Sequence, residues 1–381
     1  MTLRKFIIIV LFFIVHAAYA KPIVIQGKTI IDKPTIYRNV VLDLSDGYFQ
    51  VLNDAKLTIE NCIINGSIST KYVNLIDINS GHLILKNSKF NILSTDIPEN
   101  PSSPSIYNLI HVSKGQASII RNKFSINKSY TAGLFVADIS SNINIIDNDI
   151  HNFHGGVILT DIHDAYIVNN RFSNVSISNI LILNGTHSLF EKNTILFPGN
   201  NNVGDAIDIV NSENITLNQN YIASGSCYSI VVLHSDNIFI NNNKIIGGIT
   251  YAIYINTSIG TSDPNYKYLS AILNNETIKK LNSSYNQNIK VINNYIAQNR
   301  YGLTVHHVDG LLVKNNIFIQ RFSDSLARKF WTDNSILLQN VSHVTWIKNL
   351  YKEAFDQNNV QEDDEFYRFV NFPLTGGVNL P

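Results

Sequence analysis

The sequence predicts an all-β protein, a parallel β-helix of about eleven coils, on three observations. First, an Asn recurs two residues before Ile or Phe, as in Asn122-Lys123-Phe124, Asn148-Asp149-Ile150, Asn170-Arg171-Phe172, Asn193-Thr194-Ile195, Asn220-Tyr221-Ile222, Asn243-Lys244-Ile245, Asn294-Tyr295-Ile296 and Asn316-Ile317-Phe318. Cys62 and Ser88 hold this slot in the two copies before, Asn349 in the last, and successive slots lie 26, 34, 26, 22, 23, 27, 23, 51, 22 and 33 residues apart. Second, an apolar row runs three residues before each slot: Ile59, Leu85, Ile119, Ile145, Ile167, Phe190, Leu217, Ile240, Val291, Val313 and Trp346. Third, a further apolar row lies two residues earlier still, and a period of two means strands with both rows turned inward.

Three short strands per unit make one turn of a coil, and equivalent strands stacked at about 4.8 Å raise eleven coils to roughly 50 Å. Asn suits the slot because it tolerates the left-handed backbone of a tight turn. Its amide can also hydrogen-bond to the Asn above and below, which predicts an Asn ladder.

The elements follow in order. Residues 1–20 carry Arg4 and Lys5, ten apolar residues from Phe6 to Val15, and the small-residue end Ala18-Tyr19-Ala20. This is the pattern of a removable export signal, too short to span a bilayer, and it predicts a secreted or periplasmic protein with no membrane span after removal. Residues 21–45 are expected to form an N-terminal cap, 46–351 the β-helix, and 352–381 a C-terminal cap or tail. That tail, with Glu362-Asp363-Asp364-Glu365, would cover the last coil, whose open edge is otherwise free to pair. Insertions at 94–107, 257–288 and 320–334 fall at one corner, the second with a short helix at 268–281, and in a solenoid such a face often binds.

Composition narrows the function. Hydrophobic residues are 45% and charged ones 15%, which excludes disorder. With 29 Lys+Arg against 29 Asp+Glu and no basic block, nucleic acid is not an expected partner. Cys62 and Cys227 sit six coils apart, about 29 Å at the stacking distance and beyond the ~7 Å reach of a disulfide, so both are expected free. No row gathers three carboxylates and His306-His307 are adjacent rather than spaced, so no metal site or cofactor is predicted, with calcium left open.

From Val51 to Tyr351 the chain resembles the right-handed parallel β-helix superfamily, which includes pectate lyases, polygalacturonases, alginate epimerases and NosD-like carbohydrate-binding repeats. The resemblance implies a right-handed coil and a polysaccharide or surface glycan as partner. Two readings follow: a lyase, epimerase or hydrolase acting on uronate-type chains, or a non-enzymatic, adhesin-like binding scaffold.

Gly204-Asp205-Ala206-Ile207-Asp208-Ile209 is similar to the Asn-Thr-Asp-Gly-Ile-Asp-Ile segment of polygalacturonases. The similarity puts Asp205 in the place of a catalytic acid or base, with Asp208 as its partner or a substrate contact. Gly225-Ser226-Cys227-Tyr228 stands where that family carries Gly-Asp-Asp, and this departure supports the binding reading. Asp161-Ile162-His163-Asp164 resembles the Asp-Pro-His-Asp/Glu motif of mannuronan epimerases, which implies His163 as base or acid with Asp161 or Asp164 orienting it. Polar residues recur at this corner in other coils (His187, Glu213, His234, Asp236, His307, Asp309), so turn chemistry alone also yields His–Asp neighbours.

An outward row is read as Asp77, His111, Phe135, Ile158, Leu181, Asp208, Val231, Tyr254, Thr304 and Leu337, apolar at its centre and therefore either covered or an apolar binding face. Small residues beside it, Gly133, Gly156, Asn179, Ala206, Ser229, Ala252, Gly302 and Ser335, leave room for a ligand. Tyr228, Tyr251 and Tyr301 begin successive coils and should stack, giving with Tyr254 a platform for sugar rings.

Overall fold

The computed structural model describes residues 21–95, 107–128, 131–196, 205–223, 228–247, 251–257, 285–297, 299, 301–321 and 336–354. The export signal, most of the three insertions with the helix expected at 268–281, Cys227 and the tail beyond residue 354 lie outside the described residues.

Each strand pairs in parallel with the strand one coil below and the strand one coil above, and the result is a right-handed parallel β-helix. Three stacks run its length. The front stack includes Asn74–Asn79, Asn108–Ser113, Gly133–Asp138, Val157–Thr160, Ser178–Leu183, Asp205–Val210, Tyr228–Leu233 and Tyr251–Asn256. The middle stack includes His82–Lys86, Gln116–Ile120, Ser141–Ile146, His163–Val168, Thr186–Glu191 and Glu213–Asn218. The rear stack is made of shorter strands such as Lys89–Ser94, Lys123–Ile126, Asp149–His151, Arg171–Ser173, Thr194–Leu196 and Tyr221–Ala223. Residues 23–38 already form a coil in register with the next, through Ile23–Ile31 on Val41–Val51 and Thr35–Arg38 on Lys56–Glu60.

The inward row from Ile59 to Val313 is 0–1% exposed throughout. Trp346, the last of that row, is 41% exposed instead, because no described coil stacks above it. It packs on one side only, its ring 6.3 Å from that of Phe318.

The slot amides form a continuous column. Asn148 Nδ2 donates to Ile119 O at 2.8 Å, to Ile146 O at 3.0 Å and to Asn170 Oδ1 at 2.9 Å. Its Oδ1 accepts from the backbone N–H of Asn122 at 2.9 Å and from Asn122 Nδ2 at 3.1 Å. The pattern repeats through Asn170, Asn193, Asn220, Asn243, Asn294 and Asn316 to Asn349. The reason expected for Asn in the slot needs correcting. The left-handed residue is the one before it: Asn61, Asn87, Arg121, Asp147, Asn169, Lys192, Gln219, Asn242, Asn293, Asn315 and Lys348, with φ between 49° and 59°. A non-glycine residue there costs roughly 1–2 kcal/mol. The slot amide offsets this by satisfying backbone carbonyls that the turn would otherwise bury unpaired.

Cys62 occupies the slot of an early coil, buried and free, its N–H donating to Ser88 Oγ at 3.1 Å. Among the described residues no helix is long and apolar enough to cross a membrane.

Candidate functional site

Asp205 opens a front strand whose Ile207 and Ile209 point into the core. It is 3% exposed, and its Oδ1 accepts the backbone N–H of Tyr228 at 3.0 Å. Asp208 is 2% exposed and its Oδ2 accepts the Ser178 hydroxyl at 2.5 Å. In register it lies between Leu181 and Val231. Those two belong to a second hydrophobic cluster, outside the coil, with Val136, Ile158, Leu183, Val210, Tyr228 and Leu233, all buried. The apolar centre of the outer row is therefore covered rather than a bare binding face. One member of the row also changes: Phe135 pairs with Val157 and is inward, so Val136 stands beside Ile158 in its place.

The tyrosine column forms. Tyr228 stacks on Tyr251 with centroids 5.1 Å apart and planes 11° apart, and Tyr251 on Tyr301 at 4.7 Å and 20°. Tyr254 tilts against Tyr228 at 5.2 Å and Tyr251 at 5.1 Å. Tyr228 is buried within the outer cluster, while Tyr251, Tyr254 and Tyr301 are half-buried.

Asp161 and His163 lie in a different environment. Asp161 takes the left-handed turn from front to middle stack with φ 54°, Ile162 is buried, and His163 begins the next strand. Both polar side chains are exposed. His163 Nδ1 lies 2.5 Å from Thr186 Oγ1, and Asp161 Oδ1 accepts from Asn184 Nδ2 at 2.8 Å. Together they line one end of an open groove of about 490 Å³, with Asp54, Lys114 and Ile139 along one wall and His82 and Gln116 along the other. Buried Gly81, Gly115 and Ser140 lie between the walls as its floor. Gly115 can have no side chain, since a Cβ there would stand 2.6 Å from Gly81 O. From Asp54 to Asp161 the groove crosses five coils, about 19 Å at the stacking distance. Asp164, also at positive φ, is not part of the lining.

One ionic arrangement was not singled out from the sequence. His111 Nδ1 is 2.8 Å from Asp77 Oδ1, His111 Nε2 is 3.8 Å from Asp138 Oδ1, and Gln50 Nε2 donates to Asp77 Oδ2 at 3.1 Å. The Asp77 hydrogen bond holds His111 above the usual imidazole range, and the same bond holds Asp77 below the usual carboxylate range. Asp77 and His111 head the outer row in adjacent coils, but no motif marks them, and only the register makes them touch. Among the described residues no three His, Cys, Asp or Glu side chains gather as metal ligands.

The insertions fall at two corners rather than the single one expected: 94–107 and 320–334 follow rear strands, whereas 257–288 separates the front strand Tyr251–Asn256 from the middle strand Asn286–Ile292. Coils stacked on buried slot amides, with an open polar groove along them, define the class. The chain matches the family described as right handed beta helix region over residues 84–245 and 155–323, more than half its length, and belongs to it. Among solved structures it is similar to a hyperthermoactive exopolygalacturonase from Thermotoga maritima, at 10% identity and TM-score 0.51, over 86% of this chain and 94% of that one. It is also similar to a periplasmic alginate epimerase, at 10% identity and TM-score 0.45 over 86% and 85% of the two chains. A mannuronic acid specific polysaccharide family 6 lyase from human gut microbiota stands at 9% identity and TM-score 0.45 over 90% and 89%. At these identities the likeness is one of fold. No curated protein matches the sequence.

Proposed function

We propose that the protein is an exported β-helix that binds and acts on a uronate-type polysaccharide seated in the groove between the front and middle stacks. The observation that carries the reading is the convergence of Asp161, His163 and Lys114 in one open groove, while Asp205 and Asp208 are buried in bonds that hold the coils. Removing a proton α to a sugar carboxylate needs a base, and a cation to take up the charge that moves onto that carboxylate. In the tautomer that donates Nδ1–H to Thr186 Oγ1, His163 Nε2 is left unprotonated and serves as the base. Lys114 on the facing wall supplies the cation, and water in the open groove supplies the proton taken up by the opposite face of the carbon or by the leaving oxygen. Return of the proton to the opposite face of the carbon gives the epimer, and loss of the neighbouring glycosidic oxygen gives an unsaturated chain end.

A second reading, glycan binding without chemistry, is supported by the stacked and half-buried Tyr251 and Tyr301 with Tyr254 beside them. Sugar rings pack on such faces by apolar contact. The deciding experiment incubates the mature protein with a panel of polyuronates and follows unsaturated products, epimer content by NMR, reducing ends and binding. The first reading expects turnover that disappears in His163→Ala with the fold intact. Binding without turnover selects the second, and neither binding nor turnover overturns both.

A further inference from the structure

The rear stack carries on its outer side a row that register alone aligns: Lys89, Lys123, Asp149, Arg171, Thr194, Tyr221 and Lys244, each paired with the next. We propose that this row is a binding site for a linear anionic polysaccharide laid along the helix axis, separate from the groove. The proposal takes from the preceding reading only the class of ligand.

Four of the seven side chains are cations on a chain whose formal net charge is zero. Lys89 and Lys123 stand directly opposite each other, both exposed, and form no ion pair among the described residues. Like charges facing across a strand pair weaken a sheet, so stability alone gives no reason for that placement. The single acid of the row is already compensated: Asp149 Oδ1 lies 2.7 Å from His151 Nε2 and 3.8 Å from Arg171 Nε. Beside Lys89 to Arg171 the neighbouring outward row presents Asn91, Ser125, His151 and Ser173, and its acid Asp43 lies two coils below Asn91.

Spacing selects the ligand. Adjacent positions repeat at about 4.8 Å, and Lys89 to Lys244 covers six steps, about 29 Å. A pyranose unit in an extended chain advances by a comparable length, so a polymer with one carboxylate per unit meets the cations in step. Tyr221 adds an aromatic face between Arg171 and Lys244, and the Lys244 ammonium lies 5.2 Å from the centre of its ring. Arg171 can hold a carboxylate bidentately, which fixes the chain sideways as well as by charge.

The test compares the mature protein with a Lys89→Gln/Lys123→Gln/Arg171→Gln variant, with Lys290→Gln and with His163→Ala, using polygalacturonate, neutral dextran and vesicles of anionic phospholipid as probes. All three triple-variant positions are exposed, and thermal melting checks that the variant is folded. Expected are salt-sensitive binding of polygalacturonate, none of dextran, and a loss of about tenfold in the triple variant, the order for three exposed charge contacts. The Lys290→Gln control, an exposed cation outside both the row and the groove, should keep this binding. The proposal is overturned if the triple variant binds as the parent does, if the parent does not bind polygalacturonate, or if these residues serve only the vesicles. Loss of binding in His163→Ala alone would sink the row and leave the groove reading standing.

Discussion

The carboxylate of Asp205 accepts the backbone N–H of Tyr228 at 3.0 Å, so the acid at the head of one coil fixes the first residue of the next. A buried N–H that loses its acceptor costs about 1–3 kcal/mol. Asp205→Ala should therefore lower thermal stability by that amount, while Asp205→Asn, which keeps an oxygen acceptor, should lose less. Equal and negligible losses in both variants would remove Asp205 from this structural role.

Asn170 occupies the interior of the amide column. Its Nδ2 serves Ile145 O, Val168 O and Asn193 Oδ1, and its Oδ1 receives Asn148. Asn170→Ala should destabilise by about 1–3 kcal/mol in chemical denaturation, because these buried groups lose their common partner. An unchanged midpoint would count against the column as a source of stability.

Acid sensitivity has an identifiable source in His154. It is 3% exposed, hydrogen-bonded through Nδ1 to Ser176 Oγ at 2.8 Å, and burial lowers its pKa from 6.5 to about 4. Above pH 6.5 the group is neutral in both folded and unfolded chains and has no effect on their balance. As pH falls from 6.5 to about 4 only the unfolded chain takes up the proton, and stability drops by up to about 3 kcal/mol. Denaturation at several pH values should show this slope in the parent and a shallower one in His154→Leu.

The His111–Asp77 pair has its own window. Raised above 6.5, His111 contributes stability that is fully present below that value and is lost as pH rises through its folded pKa. Lowered below 3.8, Asp77 contributes stability present above that value and lost as pH falls through its folded pKa. The pair should therefore stabilise most between pH 3.8 and 6.5. His111→Gln should narrow its stability gap to the parent at high pH, and a gap independent of pH would show that packing, not charge, sets it.

Much of this fold was legible because the constraint repeats. An inward apolar row and a slot residue recur in every coil, so an error in one copy is corrected by its neighbours. Phe135 escaped because Gly133-Leu134-Phe135-Val136-Ala137 is buried on both faces and has no polar residue to mark which side is out. The left-handed position was misplaced by one because Asn is common at both corner sites, as in Asn169-Asn170, and composition cannot tell the strained residue from the bonded one. At the candidate site, Asp205 and Asp208 match a motif written along one strand, but what packs over that strand comes from elsewhere in the chain. The groove around His163 joins residues more than a hundred positions apart, from Asp54 to His163, and only stacking makes them neighbours.

Every amide in the slot column points the same way, Nδ2 toward the C-terminal neighbour and Oδ1 toward the N-terminal one, from Asn122 to Asn349. Such a chain has polarity, so it can be cut and rejoined only between equivalent points. Excising residues 149–170 removes one period and brings Asn148 up to the partner that Asn170 had in Asn193, whereas losing a single residue within a strand turns inward residues out. Length in this molecule is quantised, and coils can be gained or lost by duplication or deletion without the remaining ones having to change.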